Sequence, residues 1–350
     1  MSLFSEKNVA FVLASASIIV VASYFSKYVS KKLASNDDDI IRKYLLNDSP
    51  LYGYNRPKLW IHTKYEYNAR KWQSFGSRSS TDLNQPYLHL TIRSIISHCG
   101  QSFNVCLIDD DSFSQLIPGW SIEVKKLAEP FKQHYRDLAM AQLLYIYGGI
   151  SVPNSFVCMK DLLPFYEQCV EYNKPFVCEV PNRYPNIISD TRWRNFTSST
   201  CFMGSPKRNE LMKEFVIYLK QQNQTAHFSS DADFFGYSSK WFNIQVYQGN
   251  VILLDGLQIG VKEKNGKAIM LEDLMEERTL NLCTDNTFGV LIPADELLKR
   301  VKYQWFSVMS SQELLQTNMA ITKYILYSLA NANSTTSIST KKKPQSVISI

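Results

Sequence analysis

The chain has 350 residues, 45% hydrophobic and 13% aromatic, enough to bury a substantial core in one large α/β domain or two smaller ones. The net charge of +6 is mild and partly sits in a tail, at Lys341, Lys342 and Lys343; no basic stripe interleaved with aromatics appears, so nucleic acid is not an expected partner. The odd count of 7 cysteines, without C-x-x-C spacing, argues against a metal cluster or a disulfide framework and for buried reduced thiols.

The first informative element is Val9 to Phe25, a run without charge at the short end for a bilayer-spanning helix. A cleaved signal peptide is the alternative. Its apolar region is usually shorter, and no clear small-residue cleavage site follows here. Lys27, Lys31 and Lys32 flank the C-terminal side, whereas Glu6 and Lys7 offset each other before it. The positive-inside rule therefore predicts a single-pass protein with its main domain facing the cytosol. A luminal domain is the alternative, in which case the N-x-S/T triplets at Asn195, Asn223 and Asn333 would matter. The resulting organisation is an anchor over 1–32, a linker over 33–56, an α/β domain over 57–330 and a low-complexity, disordered tail over 331–350.

Lys58–His62 has the apolar centre and polar ends of a short buried strand. Residues 85–100 predict a helix, with Leu88, Ile92, Ile95 and Cys99 on one face, Pro86 at the first turn and Gly100 at the stop. Phe103–Ile108 is the next strand, and Asp109 to Asp111 follow where a strand ends and a helix starts. Residues 131–147 predict a helix that shows Leu138, Ala141, Leu144 and Tyr145 on one face and ends at a left-handed Gly148. His134 and Asp137, on one face of it, read as a surface pair. Asn209–Gln222 is a further helix, residues 251–269 read as short strands joined by Asp255-Gly256 and Asn265-Gly266 turns, and a helix begins at Pro293. The aromatic run Val301–Phe306 is expected to pack the C-terminal helix onto the sheet. Alternating strands and helices in this order predict an α/β fold with a mostly parallel central sheet and flanking helices, Rossmann-like in its layers.

The order "PKLWIH", "FNVCLIDDDS", "LLYIYGGI" and "MKDLLP", with Asp137 placed eleven residues before Gly148, resembles the DXD-containing sugar transferases. These are the α-1,6-mannosyltransferase-like and capsular-polysaccharide-synthesis families. The resemblance runs from about Pro57 to Leu163, with a weaker echo over Ser199–Phe215. It implies a glycosyltransferase-A-like domain that takes a nucleotide-sugar donor, opens its nucleotide site at the first strand and holds Mg2+ or Mn2+ on an Asp-x-Asp. Here that motif falls on Pro153, Asn154 and Ser155, and the family's helix arginine falls on Met140. Hard divalent cations need anionic oxygen, and this triplet supplies none. No metal is therefore expected at the usual site.

Candidate ligands for a nucleotide sugar are His62, Asp109, Asp111, Asp137, Asn154, Ser155, Arg192 and Arg194. Asp109 and Asp111 lie at a strand end but also suit helix capping. Arg192 and Arg194, near Arg183, could clamp phosphate or be an ordinary surface loop. Asp231 and Asp233 spell a literal Asp-x-Asp and offer a relocated Mn2+ or Mg2+ site, or simply a helix start. No catalytic residue is assigned. The implied function is a membrane-anchored, glycosyltransferase-like protein with a degenerate site, weakly catalytic or non-catalytic. The alternative is an active, atypical or metal-independent glycosyltransferase that moves a sugar onto a glycan or glycoconjugate.

Overall fold

The computed structural model describes residues 56–63, 85–184, 191–225, 231–283 and 285–339. The predicted membrane anchor and most of the linker lie outside these residues. Among the described residues no helix is long and apolar enough to cross a membrane.

In chain order the elements are β1 (Lys58–His62), α1 (Tyr87–Cys99), β2 (Asn104–Ile108), α2 (Ser112–Leu116), α3 (Phe131–Tyr147), β3 (Gly149–Ser151), β4 (Phe156–Cys158), α4 (Leu163–Glu171) and β5 (Phe176–Pro181). There follow β6 (Phe196–Ser205), α5 (Glu210–Thr225), α6 (Asp231–Tyr247), β7 (Ile252–Leu254), α7 (Leu271–Met275) and β8 (Gly289–Leu291). The chain closes with α8 (Ala294–Lys299), α9 (Gln304–Val308), α10 (Ser311–Leu315) and α11 (Ala320–Ser339).

Six strands form one sheet in the order β2-β1-β3-β6-β5-β7, and β4 pairs with β8 in a second, two-stranded sheet. The large sheet is the mostly parallel one expected, with β6 alone running against its neighbours. From β1 the chain steps outward to β2, then returns past β1 to β3. The direction of winding therefore reverses between β1 and β3, and in open α/β sheets the crevice at such a reversal, beyond the carboxyl ends of the strands, is where ligands bind.

The strand periodicity of two explains the layers. Leu59 and Ile61, with Val105 and Leu107, pack toward α1; Trp60, with Cys106 and Ile108, packs toward α3. A third apolar cluster joins α1 and β4 to the helices from α7 onward. The aromatic run 301–306 feeds this third cluster rather than the sheet. Phe306 lies 5.1 Å from the Tyr87 ring on α1, while Val301 and Trp305 are exposed.

Three sequence expectations need correction. Residues 251–269 form one strand, β7, and a single bridge, Lys262 to Ala268, around the Asn265-Gly266 turn. The short runs between turn residues are too brief to sustain a ladder. The tail expected to be disordered from residue 331 instead continues α11 as far as Ser339. Two strands are absent from the sequence expectations, β5 and the long β6: β5 is a short apolar run followed by Glu179 and Pro181, and β6 is rich in Ser and Thr, so neither shows a clean apolar alternation.

The Gly148-Gly149 pair lets β3 enter the sheet. Gly148 has φ 71° and ψ −170°, a region that only glycine occupies readily and further from ordinary backbone than the left-handed stop expected. Its carbonyl accepts the buried Trp60 indole N–H at 3.0 Å. Gly149 has φ 104°, and a Cβ there would stand 2.1 Å from the Lys58 carbonyl oxygen. Substituting Gly149→Ala is expected to cost roughly 3 kcal/mol or more, from positive-φ strain plus the clash, read as a fall in the urea midpoint.

Candidate functional site

The carboxyl ends of β1, β2 and β3 and the α3 face above them carry a row of polar side chains. Period-two alternation aims the relevant positions. Trp60 leads to His62 and Ile108 leads to Asp110, all toward α3. His62 and Asp110 meet, Nε2 to Oδ1 at 3.0 Å. Arg136 from α3 grips the same carboxylate from above, Nε to Oδ1 at 2.9 Å and Nη2 to Oδ2 at 2.7 Å. This is the bidentate fork-to-carboxylate geometry that makes such pairs strong. The three side chains are about nine-tenths buried. The His62 ring also stacks on Phe113 with centroids 5.2 Å apart.

Burial by itself would raise the Asp110 carboxyl, but hydrogen bonds from His62 and Arg136 hold it well below the usual carboxylate range. An ionised carboxylate only accepts, so His62 presents a protonated Nε2 to it.

The sequence reading placed its bets on either side of this residue. Asp109 accepts from the Ser112 backbone N–H at 3.0 Å and from the Ser112 hydroxyl at 2.7 Å, which is turn and helix-start chemistry. Asp111 is exposed and pairs with Lys125. Neither joins His62; Asp110 does. Arg136 is not among the candidates that the sequence offers. The missed signal was the alternation itself: counting two from Ile108 selects Asp110.

Further along the same edge, Asp137 turns toward β6. Its Oδ1 accepts the Thr200 hydroxyl at 3.1 Å, and its Oδ2 is buried without a hydrogen-bond partner among the described residues. Burial, opposed only by the Thr200 hydrogen bond, pushes this carboxyl up to about 7. Asp137 is thus a carboxyl near half-protonation at neutral pH, able to donate or accept, beside a fully ionised Asp110. Thr200 reaches it because the β5–β6 register is irregular. Val177 pairs with Met203 but Cys178 pairs with Ser199, so Thr200 to Phe202 bulge out of the ladder. His134 is not the surface residue expected: it is buried and stacks on Phe234 with centroids 3.9 Å apart.

Just past β3, the positions to which the sequence resemblance would assign an Asp-x-Asp are structurally committed. Ser155 is buried, and its hydroxyl donates to the Ile292 carbonyl at 2.9 Å, tying the two-stranded sheet together. The Asn154 carbonyl accepts the Thr91 hydroxyl at 2.5 Å, which fixes this turn to α1; Pro153 and Asn154 remain half-buried at the surface of the crevice. Met140, where the family would place an arginine, is core. Among the described residues no group of three or more His, Cys, Asp and Glu side chains converges. Among the described residues, the donors that face the crevice are the Asp110 carboxylate, already held by His62 and Arg136, the Asp137 carboxyl and the Asn154 amide. That set does not fit Mg2+ or Mn2+, whose sites need several anionic oxygens.

The remaining candidates lie elsewhere. Arg192 is exposed and sits 4.8 Å over the Tyr247 ring. Tyr247 ends α6, while Phe234 near its start touches His134, and the helix advances roughly 20 Å between them. Arg192 therefore stands on the flank, away from Arg136. Arg194 is exposed and its carbonyl accepts from the Asn182 amide. Arg183 pairs with Glu296 and, at 3.9 Å, with Asp295. Asp231 and Asp233 lie in the first turn of α6, in agreement with the helix-start alternative; their side chains lie outside the described residues.

Two carboxylates in opposite environments give opposite pH dependences. Asp110, held low when folded, stabilises the protein above about pH 4 and stops doing so as pH falls through the acid range. Asp137, held high, binds a proton in the folded state that the unfolded chain releases near pH 4, so stability declines from there up to about pH 7. In urea melts across pH 4–8, Asp137→Asn should lack that decline, whereas Asp110→Asn should lose about 3 kcal/mol at neutral pH by leaving the buried Arg136 with only the exposed Glu129 carboxylate, 4.0 Å away, as a counter-charge.

No family profile and no curated protein sequence matches the chain. Among solved structures, the chain is similar to mouse xyloside xylosyltransferase 1 in its apo form, at 11% identity and a TM-score of 0.35, over 58% of this chain and 86% of that one. It is similar to PaToxG glycosyltransferase at 13% identity and a TM-score of 0.30, over 65% of this chain and 86% of that one. It is also similar to apo glycosyltransferase GlyE of Streptococcus pneumoniae TIGR4 at 10% identity and a TM-score of 0.38, over 83% of this chain and 66% of that one.

Proposed function

We propose that the chain is a membrane-anchored protein of glycosyltransferase type, with a nucleotide-sugar crevice that lacks metal-binding carboxylates and is weakly catalytic or non-catalytic. The observation that carries this reading is Pro153–Asn154–Ser155 at the carboxyl end of β3. The triplet stands beside the reversal of winding, carries no anionic oxygen, and has Ser155 tied to the Ile292 carbonyl. Transfer from a nucleotide sugar builds negative charge on the departing diphosphate, which must be met by a cation. The guanidinium at this edge, Arg136, is already bound by Asp110. What remains suits holding rather than reacting: Asp137 with one unpaired oxygen for a sugar hydroxyl, and the half-buried Asn154 amide. An active, metal-independent transferase is the second reading, favoured by the near-neutral Asp137 as a proton acceptor.

A thermal-shift titration of the full-length protein with a panel of nucleotide sugars tests the site. The expected result is a rise in Tm for at least one of them, unchanged by Mn2+ or a chelator and lost in Asp137→Ala. A ligand at about 100 times its Kd stabilises by roughly 2.7 kcal/mol, well within reach of the method. No shift with any nucleotide sugar removes the donor site. Turnover of a bound donor onto an acceptor selects the second reading.

We also place the domain on the cytosolic side, from the lysines that follow the apolar segment. Asn195 reports on this, because it is exposed just before β6, whereas the Asn223 amide donates to the Leu219 carbonyl within α5. Asn195 is expected to be unmodified in the purified protein by mass spectrometry, and a glycan on it would reverse the orientation.

A further inference from the structure

The β5–β6 irregularity that delivers Thr200 to Asp137 also brings two cysteines together. Cys178 on β5 and Cys201 on β6 have sulfurs 3.5 Å apart. They differ in access: Cys178 is fully buried and Cys201 is exposed. Cys201 is exposed one position after Thr200, whose hydroxyl meets Asp137. We propose that Cys178 and Cys201 are a reversible dithiol site for oxidants of the peroxide class, which convert them to a cross-strand disulfide.

The chemistry balances with the peroxide as the only co-reactant. The Cys201 thiolate attacks one peroxide oxygen, the O–O bond breaks, and the second oxygen leaves as water or an alcohol after taking a proton. Cys201 is then a sulfenic acid. The Cys178 sulfur attacks the Cys201 sulfur, the S–O bond breaks, and the hydroxyl leaves with the Cys178 proton as water. Two electrons from the two thiols have reduced one peroxide. The order of attack follows from exposure, since Cys201 is the sulfur an oxidant can reach; burial, and then the contact with Cys201, push the Cys178 thiol well up, while the hydrogen bond with Cys178 lowers Cys201. Closing from 3.5 Å to an S–S bond of about 2.05 Å asks for a small movement, and the bulge is where the ladder is already interrupted.

The fold contains its own comparison. Cys99 and Cys158 have sulfurs 3.8 Å apart, nearly as close, but both are fully buried in the core beneath α1. Proximity alone would oxidise both pairs. Access separates them, since a peroxide must reach the first sulfur. The inference does not depend on what the crevice binds.

The full-length protein is treated with hydrogen peroxide, quenched, alkylated under denaturing conditions and digested for mass mapping. The expected product is a peptide pair linked through Cys178 and Cys201, released by a thiol reductant and formed about tenfold or more faster than any Cys99–Cys158 link. Cys201→Ser, a near-isosteric change at an exposed position, should abolish the product and leave Cys178 alkylatable. Cys178→Ser should leave Cys201 as a sulfenic acid trapped by dimedone. Three outcomes overturn the proposal in the wild-type protein itself: no oxidation at Cys201, Cys201 carried to the sulfinic acid with Cys178 still free, or equal rates for the two pairs.

Discussion

Strand β3 lies against β1 because residue 149 has no side chain. A Cβ there would meet the Lys58 carbonyl at 2.1 Å, so any other residue pushes the two backbones apart. Gly148, one step earlier, turns the chain out of α3 through a conformation that only glycine adopts readily, and gives its carbonyl to the buried Trp60 indole. From this close approach follow the reversal of winding between β1 and β3 and the crevice beyond their carboxyl ends. The placement of α3 over that crevice follows too. The polar row is a consequence of where these two glycines allow the backbone to go.

Charge along the crevice is partitioned by neighbours rather than by residue type. Asp110, just past β2, and Asp137, on α3, are both aspartates with buried side chains. Asp110 has a fork of arginine and a histidine, which outweigh its burial; Asp137 has one hydroxyl, which does not. The first is a structural anion that pins His62 and Arg136 in place. The second retains an oxygen without a partner among the described residues and a proton affinity close to neutrality. That difference separates the part of the edge that stabilises the fold from the part that has chemistry to offer a ligand.

The bulge on β6 joins the site to the redox inference. It breaks the pairing of β5 and β6 for three residues and gives each a different direction: Thr200 to Asp137, Cys201 to solvent and Cys178, Phe202 into the core. A regular ladder would have alternated these side chains between faces and could not have served all three.

The sequence by itself determined the framework. Apolar alternation in Lys58–His62 and Phe103–Ile108, the helical spacing over 131–147 and the glycine pair predicted the parallel half of the sheet. They also located Pro153–Ser155 at the end of its third strand, where no carboxylate stands. Those are local properties: periodicity, turn chemistry and the presence or absence of charge. The tertiary structure decided that Asp110, the aspartate alternation turns inward, is held by Arg136 from a helix more than twenty positions away. It decided that Ser155 holds the small sheet together, that Arg192 belongs to the flank and that His134 is core. It also revealed β5, a short apolar run that ends in Glu179 and Pro181, and β6, whose Ser and Thr content conceals its burial. Alternation carried past Ile108 points to Asp110, but what meets a side chain beyond a strand end, and how strands pair across a sheet, are set by contacts between distant segments.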